Sequence, residues 1–202
     1  LAGLGVFQIL KQIFAGQHVT GSINIGLDGQ FAPWVGALVP MDKALILIAP
    51  EGREAEMIMR LARVGYDNVL GYLHGGLKAW TKAKMPTDQI QRITADVLES
   101  NYADTKGQIL DVRALSEYLA EHILDVNSLP LDAISTRIKE LPKATAKKPL
   151  IIHCAGGYRS MVFASIIKAS GHHHIMDVIG GFNAIKEMKG VPMSAYNCPS
   201  GS

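Results

Sequence analysis

Short apolar runs alternate with amphipathic segments through the second half of the chain. Four runs predict β-strands: 108–112, 125–129, 149–153 and 174–178. Four segments with helical spacing lie beside them: 114–120, 131–141, 159–170 and 181–188. The run PLIIH at 149–153 is apolar for almost its whole length, which is typical of a strand buried on both faces. This alternation of strands and helices favours an α/β fold with a parallel sheet.

The first half of the chain repeats the second half. GYDNVLGYLHGGLKAWTKAKMP at 65–86 matches GHHHIMDVIGGFNAIKEMKGVP at 171–192, and in each a Gly-Gly pair precedes an amphipathic helix. Two further matches have the same separation of about 105 residues. They join HVTGSINIGL at 18–27 to HILDVNSLPL at 122–131, and KALILIAPEGR at 43–53 to KPLIIHCAGGYR at 148–159. Two copies of one fold are therefore predicted.

The boundary between the copies is predicted near residue 90. Pro86 stops the first copy, and Thr94 is a candidate N-cap for a short helix that opens the second. This division gives a first domain at 1–90, a second domain at 91–197 and a Pro-, Ser- and Gly-containing tail at 198–202 that is expected to be flexible. In the first copy, glycines and a proline punctuate residues 28–40 where the second copy has a helix, so an irregular loop is predicted there.

Composition excludes several classes of partner. The 202 residues are 48% hydrophobic, but the apolar runs are far shorter than the roughly 20 residues of a membrane span. The net charge is +2 with no basic block, which gives no footprint for nucleic acid. Cys154 and Cys198 are too few for a disulfide framework, so a cytoplasmic location is expected. The chain begins at Leu1 without an initiator methionine, which we interpret as a fragment of a longer protein.

The stretch LIIHCAGGYRS at 150–160 places Cys154 at the carboxyl end of a predicted strand, where parallel α/β sheets bind ligands. Gly156 and Gly157 allow a tight turn whose N–H groups point inward, and a helix N-terminus follows. Both features favour the thiolate, which is the nucleophilic form of cysteine. Arg159 adds a permanent cation. From the residues alone, an inert buried cysteine remains the alternative.

Three stretches, ILDVRALSEYLAEH, LIIHCAGGYRS and VIGGFNAIKEMKGVP, resemble the rhodanese family of single-cysteine sulfurtransferases. The resemblance covers essentially the whole chain and implies two tandem rhodanese-like domains, each a parallel sheet flanked by helices. HVTGSINIGLDGQFAPWVGALVP and PEGREAEMIMRLARVGYDNVLGYLHGGLKAW look like the rhodanese portion of bacterial fusions that carry an upstream metallo-β-lactamase-fold persulfide dioxygenase. Such an upstream domain would explain the missing methionine and would be a partner within the full-length protein.

By this resemblance, Cys154 would take a sulfane sulfur from thiosulfate or a low-molecular-weight persulfide and pass it to cyanide, sulfite or a thiol. Arg159 would be the second catalytic residue and would steer the anionic donor. Backbone N–H groups of the loop would bind the substrate. They belong to Ala155, Gly156, Gly157, Tyr158 and Ser160. No organic cofactor and no metal is implied. The expected partners are a small-molecule donor and acceptor, and a homo-oligomer stays open.

The first copy is expected to be inactive, either N-terminally truncated or degenerate. Ala49 stands at the position of Cys154, and Glu51 puts a negative charge into the loop. Counting back from His18 places Phe7 at the position of Asp111, and Ile9 at that of Arg113. In the second copy, we interpret three charged residues near the strand–helix junction as structural support. They are Asp111, Arg113 and Glu117.

Three rival functions remain open at this point. Cysteine phosphatases and arsenate reductases also join a strand, a cysteine and an arginine, but with five intervening residues, whereas here only four separate Cys154 from Arg159. A non-catalytic interaction module would keep Cys154 as a relic. A redox sensor would form a disulfide between Cys154 and Cys198.

Overall fold

A computed structural model describes residues 4–8 and 11–197 of the chain. The chain divides between Ile90 and Gln91 into two units, each with its own parallel sheet. The predictions made for Ile9, for Cys198 and for the tail at 198–202 lie outside the described residues. Within the described residues, no helix has the length and apolar character needed to cross a membrane.

The first unit is built on a four-stranded sheet. Its elements are β1 (Leu4–Gln8), α1 (Lys11–Gly16), β2 (His18–Val19), β3 (Ile23–Asn24), α2 (Phe31–Leu38), β4 (Ala44–Ile48), α3 (Glu54–Ala62), β5 (Val69–Tyr72), α4 (Gly76–Lys82) and β6 (Thr87–Asp88). The strand order is β3-β1-β4-β5, and all neighbours are parallel. Strands β2 and β6 form a separate antiparallel pair.

The second unit is built on a five-stranded sheet. Its elements are β7 (Gln91–Ile93), α5 (Ala95–Ser100), α6 (Tyr102–Thr105), β8 (Ile109–Asp111), α7 (Leu115–Ala120), β9 (Asn127–Ser128), α8 (Ile134–Arg137), β10 (Leu150–His153), α9 (Tyr158–Ala169), β11 (Ile175–Val178) and α10 (Gly181–Ile185). Short 3-10 turns lie at Lys106–Gln108, Leu131–Ala133 and Ile138–Glu140. The strand order is β7-β11-β10-β8-β9, and all neighbours are parallel.

The two units are copies of one fold, as the repeat predicted. The order β3-β1-β4-β5 in the first unit corresponds to β9-β8-β10-β11 in the second. A local arrangement is also repeated. His18 stacks on Phe14 with 4.0 Å between ring centroids, and its Nδ1 lies 2.7 Å from the Phe14 carbonyl oxygen. His122 makes the same stack and the same contact with Tyr118, at the same two distances.

The prediction of an irregular loop at 28–40 was wrong, because residues 31–38 form helix α2. Pro33 occupies the third position of this helix, in the first turn, where a backbone N–H has no partner within the helix and its loss costs little. Phe31 and Val35 are buried and lie four residues apart on one face. Burial of this apolar pair offsets the weak helix propensity of Gly36.

The strands and most helices of the second unit lie where the sequence predicted them. Most are shorter than predicted, whereas α9 keeps the predicted length and begins one residue earlier. The segment at 131–141 differs, because it is broken into a 3-10 turn, one turn of α-helix and a second 3-10 turn. The helix expected at 181–188 ends at Ile185. Thr94 is the N-cap of α5, although its side chain makes no capping hydrogen bond.

Strand β10 is the buried centre of the second unit. All four of its residues are buried, and it pairs with β11 on one side and β8 on the other. Helix α9 covers it with seven buried side chains, among them the fully buried Phe163. An apolar cluster beneath α5 and α10 contains Leu98, Val178 and Ile185. The carboxyl end of β10 is thus held from several sides.

The first unit lacks one part of this packing. Among the described residues it has no counterpart of β7 and α5. Helix α4, the counterpart of α10, consequently has no buried side chain. In α10, by contrast, Phe182 is 4% exposed and Ile185 is fully buried.

Replacing Phe163 with alanine should destabilise the second unit by about 3–5 kcal/mol, because a fully buried aromatic side chain is removed and a cavity is left. Native-state hydrogen exchange of the β10 amides measures this change within the intact chain. Lys186→Ala, at an exposed residue directly after α10, is the control and should change the exchange free energy by about 0.5 kcal/mol or less. A Phe163→Ala effect as small as that of the control would contradict the packing described for α9.

Candidate active site

Cys154 follows β10 directly and is 1% exposed. Because β10 is the middle strand of the sheet, the thiol lies at the centre of the edge formed by the strand ends. Its Sγ accepts a hydrogen bond from the Gly157 N–H at 3.0 Å. Gly157 is the N-cap of α9 and has a φ of 94°, which is the left-handed region that favours glycine. The turn therefore closes around the sulfur.

The carbonyl groups of the same loop are held by α10. The Phe182 N–H donates to the Cys154 carbonyl at 2.7 Å, and the Asn183 N–H donates to the Ala155 carbonyl at 3.0 Å. These donors come from the first turn of α10, where backbone N–H groups have no partner within the helix. With two carbonyls fixed on the α10 side, the start of the loop has a defined orientation beside Sγ.

Gly181 makes this contact possible. Its φ is 58°, and a Cβ at this position would lie 2.2 Å from the Cys154 carbonyl oxygen and 2.8 Å from that of Ala155. No side chain fits at such distances, so any other residue would push the loop away from α10. The Gly-Gly pair that the repeat singled out thus has a steric function in the second unit.

The loop residues predicted to bind substrate differ in exposure. Gly156 is exposed, Gly157 and Ser160 are buried, and Ala155 and Tyr158 are half-buried. The hydroxyl of Ser160 donates to Asp177 Oδ1 at 2.6 Å, and Asp177 Oδ2 accepts from Arg92 Nε at 3.0 Å. The Ser160 side chain therefore serves the interior of the sheet and not the loop.

Arg159 is already paired. Its Nη2 donates to Glu117 Oε1 at 2.8 Å, and its Nη1 donates to Glu117 Oε2, which makes a bidentate ion pair. Glu117 Oε2 also accepts the Ala114 N–H at 3.0 Å. The Arg159 guanidinium holds the pKa of Glu117 below its ordinary value, and the carboxylate raises the pKa of Arg159. The sequence assigned Arg159 to donor steering, whereas the structure shows its guanidinium bound to a carboxylate.

The contact between Glu117 and Arg159 was missed by sequence reasoning. Glu117 is the third residue of α7, and a glutamate there is a known signal for a bond to the N-cap N–H, which Ala114 supplies. That signal indicates capping only. Arg159 is 42 residues away in sequence, and nothing in the spacing of the two residues indicates that they meet.

Asp111 and Arg113 form a second, buried pair. Arg113 Nη2 donates to Asp111 Oδ2 at 2.7 Å and to the Glu121 carbonyl at 2.7 Å. The Arg113 guanidinium lies over the Phe182 ring, 3.7 Å from its centroid. These contacts join the end of β8 to α10 and agree with the interpretation of both residues as structural support.

His153, which precedes the thiol, is fully buried, and its Nε2 lies 4.0 Å from Asp111 Oδ2. Burial lowers the pKa of His153. The imidazole is therefore neutral at physiological pH.

The first unit has no thiol at the corresponding place, where Ala49 follows β4. Gly76 corresponds to Gly181 and has a similar φ of 56°, but a Cβ on Gly76 would lie 4.0 Å from the Ala49 carbonyl oxygen. The loop of the first unit is therefore not pressed against α4. Arg53, the counterpart of Arg159, pairs with two carboxylates of its own unit. They belong to Asp28, at 2.8 Å, and Glu56, at 2.7 Å.

Strand register corrects one assignment in the first unit. Gln8 pairs with Ile48 as Asp111 pairs with His153, so Gln8 and not Phe7 takes the position of Asp111. The count from His18 gave Phe7 because the first copy is one residue shorter between this strand and the histidine. An acidic residue is absent from the position in either case.

A family model for the rhodanese-like domain matches residues 11–83 and again residues 94–188. The chain belongs to the rhodanese-like domain family. It contains two rhodanese-like regions in tandem, and the fold class predicted from the sequence is confirmed. Each match lies within one of the two units described above.

Three of its relatives each match about half of this chain. A sulfurtransferase from Allochromatium vinosum is 28% identical over 96 residues, which is 47% of this chain and 87% of the relative. The uncharacterized protein YqhL of Bacillus subtilis is 30% identical over 94 residues, 46% of this chain and 72% of the relative. A crystal structure of a rhodanese-like domain protein from Staphylococcus aureus is 28% identical and covers 51% of this chain and 97% of that chain, with a TM-score of 0.43.

Among the described residues of this rhodanese-like chain, no group of three or more His, Cys, Asp or Glu side chains is arranged to hold a metal ion.

Replacing Gly181 with alanine should lower the rate at which iodoacetamide alkylates Cys154 by about tenfold, because the new Cβ displaces the loop and the Gly157 N–H that it carries. Peptide mapping separates Cys154 from Cys198. Gly76→Ala is the matched control, since it has nearly the same backbone strain without the clash. Equal alkylation rates in the two variants would show that contact with α10 does not position the loop.

The ion pair between Glu117 and Arg159 should contribute to stability only while Glu117 is ionised. Its pKa in the folded state is lower than its ordinary value near 4.5, chiefly because of the hydrogen bond from Arg159. The contribution is therefore complete above about pH 4.5 and is lost as the pH falls through the lower folded-state pKa. Hydrogen exchange of the β10 amides in wild type and Glu117→Gln, from about pH 3 to about pH 7, measures it. A difference between the two proteins that grows as the pH falls would contradict this sign.

Proposed function

We propose that the second rhodanese-like unit is a sulfurtransferase that carries a sulfane sulfur as a persulfide on Cys154. The observation that carries the proposal is the hydrogen bond from the Gly157 N–H to Cys154 Sγ at 3.0 Å. A backbone donor aimed at the sulfur stabilises negative charge on it, both in the thiolate and in the persulfide anion. The match to the rhodanese-like domain and the similarity to a sulfurtransferase support the same assignment.

The reaction has two displacement steps. The Cys154 thiolate attacks the sulfane sulfur of the donor, and the donor S–S bond breaks with its electron pair on the departing group. That group is sulfite when the donor is thiosulfate, and a thiolate when it is a low-molecular-weight persulfide. The acceptor (cyanide, sulfite or a thiol) then attacks the outer sulfur of the Cys154 persulfide and restores the thiolate. The sulfur keeps its oxidation level through both steps, so no external oxidant or reductant is needed. Because the enzyme holds the sulfur covalently after the first product has left, ping-pong kinetics are expected.

The residues around Cys154 have separate tasks in this mechanism. The Gly157 N–H is the donor nearest to the charge, and further N–H groups of the loop between Ala155 and Ser160 would bind the outer sulfur. The contacts of α10 with the Cys154 and Ala155 carbonyls keep the loop in place through both steps. The resemblance to persulfide dioxygenase fusions makes a low-molecular-weight persulfide a donor to test beside thiosulfate.

The catalytic and non-catalytic tasks are divided between the domains. We assign sulfur transfer to residues 91–197 and no transfer to residues 1–90. In the first domain, the position that corresponds to Cys154 is Ala49, which has no nucleophile. Phosphatase activity is less well supported. A phosphate dianion would need the free fork of Arg159, and this fork is occupied by Glu117.

Intact-protein mass spectrometry after incubation with thiosulfate or glutathione persulfide should show a gain of about 32 Da, the mass of one sulfur atom, on wild-type protein. Cyanide or sulfite should discharge the added sulfur. Cys154→Ser should take up none, because the attacking thiolate is removed.

Cys198→Ser is the matched control and should load like wild type. Absence of an adduct from both donors, or an adduct that persists in Cys154→Ser, would contradict the proposed relay.

A further inference from the structure

The two arginines described at the site are both neutralised by carboxylates. Arg159 is bound by Glu117, and Arg113 is bound by Asp111. The second pair is closed, since the two side chains are 5% and 1% exposed. The first pair is more open, at 22% for Arg159 and 36% for Glu117, so it is the more accessible of the two to a molecule from solution.

The carboxylate of Glu117 is fixed from two directions. Both of its oxygens bind the Arg159 guanidinium, and one of them also accepts the Ala114 N–H at the start of α7. The carboxylate and the guanidinium meet edge to edge through two N–H···O hydrogen bonds, which is the strongest geometry for such a pair. A donor that requires the Arg159 guanidinium must therefore compete with a carboxylate that is already in place.

The candidate donors differ in how much charge they bring to the reacting sulfur. Thiosulfate is a small dianion, and both negative charges lie on the group that must enter the loop. A low-molecular-weight persulfide brings at most one negative charge at the reacting sulfur. Any further charge lies on the organic part of the molecule, away from that sulfur. In a half-buried site, the repulsion between a fixed carboxylate and a dianion is only partly screened by water.

The first unit supplies a contrast. Its Arg53 pairs with Asp28, which is 81% exposed, and with Glu56 on α3 itself. Helix α1 corresponds to α7, and the place of Glu117 is taken there by Ile13, which has no charge. A carboxylate from this helix therefore accompanies the arginine only in the unit that has the thiol.

Building on the proposed sulfur transfer, we propose that Glu117 is a specificity-determining residue that selects low-molecular-weight persulfides over thiosulfate. It does so by keeping the Arg159 guanidinium neutralised and by placing a negative charge beside the path of the donor. Glu117 touches no reacting atom in this scheme and acts only through its charge, on Arg159 and on the approaching donor.

The test compares kcat/KM for thiosulfate and for glutathione persulfide, with one acceptor at a fixed concentration. Wild type should favour glutathione persulfide by about tenfold or more. Glu117→Gln should raise kcat/KM for thiosulfate by about tenfold and change that for glutathione persulfide by about twofold or less. The reason is that the substitution leaves the positive charge of Arg159 unneutralised, and this charge acts mainly on the dianion. The gain for thiosulfate should shrink as salt is added.

Two control variants accompany this measurement. Glu117→Asp keeps the charge and should retain the preference for persulfide. Glu140→Gln breaks another bidentate pair with an arginine in the same unit, that of Arg137 and Glu140, and should leave both donors as in wild type.

Each outcome decides between the claims. If wild type uses thiosulfate as well as glutathione persulfide, selection by Glu117 is wrong, and this result needs no variant to fold. If Glu117→Gln loses both donors equally, Glu117 only supports the loop and the inference is overturned. If wild type takes sulfur from neither donor in the mass measurement, the proposed sulfur transfer itself fails.

Discussion

The site of the second unit depends on two backbone hydrogen bonds from the first turn of α10 to the carbonyls of Cys154 and Ala155. Unpaired N–H groups at a helix start need acceptors, and unpaired carbonyls in a buried turn need donors. The N–H groups of α10 and the carbonyls of the Cys154 loop meet these two needs by pairing with each other. This pairing requires that residue 181 have no side chain, because even a methyl group on Gly181 would overlap the Cys154 carbonyl. The close approach of α10 fixes where the turn begins, and the turn brings the Gly157 N–H to the sulfur.

A comparison of the two units shows which parts of the fold this arrangement requires. Both keep the glycine pair, the order of the central strands and the stack of a histidine on an aromatic ring. Within residues 4–8 and 11–197, only the second has a helix like α5, on which α10 packs through Ile185 and its apolar neighbours. In the first unit, α4 has no buried side chain and lies farther from the loop. The packing of α10 on α5 thus accompanies its tight contact with the Cys154 loop.

Much of this architecture could be predicted from the sequence, because the signals are local or repeated. The all-apolar run of β10, the glycines around Cys154 and the duplicated Gly-Gly motif each have one favoured structural meaning. Helix α2 could not be predicted, because Pro33 and Gly36 are locally unfavourable and burial of Phe31 and Val35 outweighs them. The correspondence of Gln8 with Asp111 follows from strand register. A residue count from His18 misses it, because the first copy is one residue shorter in this region. The ion pair of Glu117 with Arg159 depends on the three-dimensional approach of α7 to α9, for which no local signal exists.

Burial of Cys154 beneath a loop tied to α10 also protects its chemistry. Cys154 is 1% exposed while α10 is docked, which limits how often oxidants in bulk solution meet the sulfur. Helix α10 is only five residues long, so its attachment depends on tertiary packing and not on intrinsic helix stability. A local opening that releases α10 would expose the sulfur without unfolding the sheet. Oxidation of Cys154 beyond the sulfenic acid is irreversible for an ordinary cysteine, so each such opening carries a risk of permanent inactivation. The packing that keeps a five-residue helix attached therefore also limits the oxidative loss of the nucleophile.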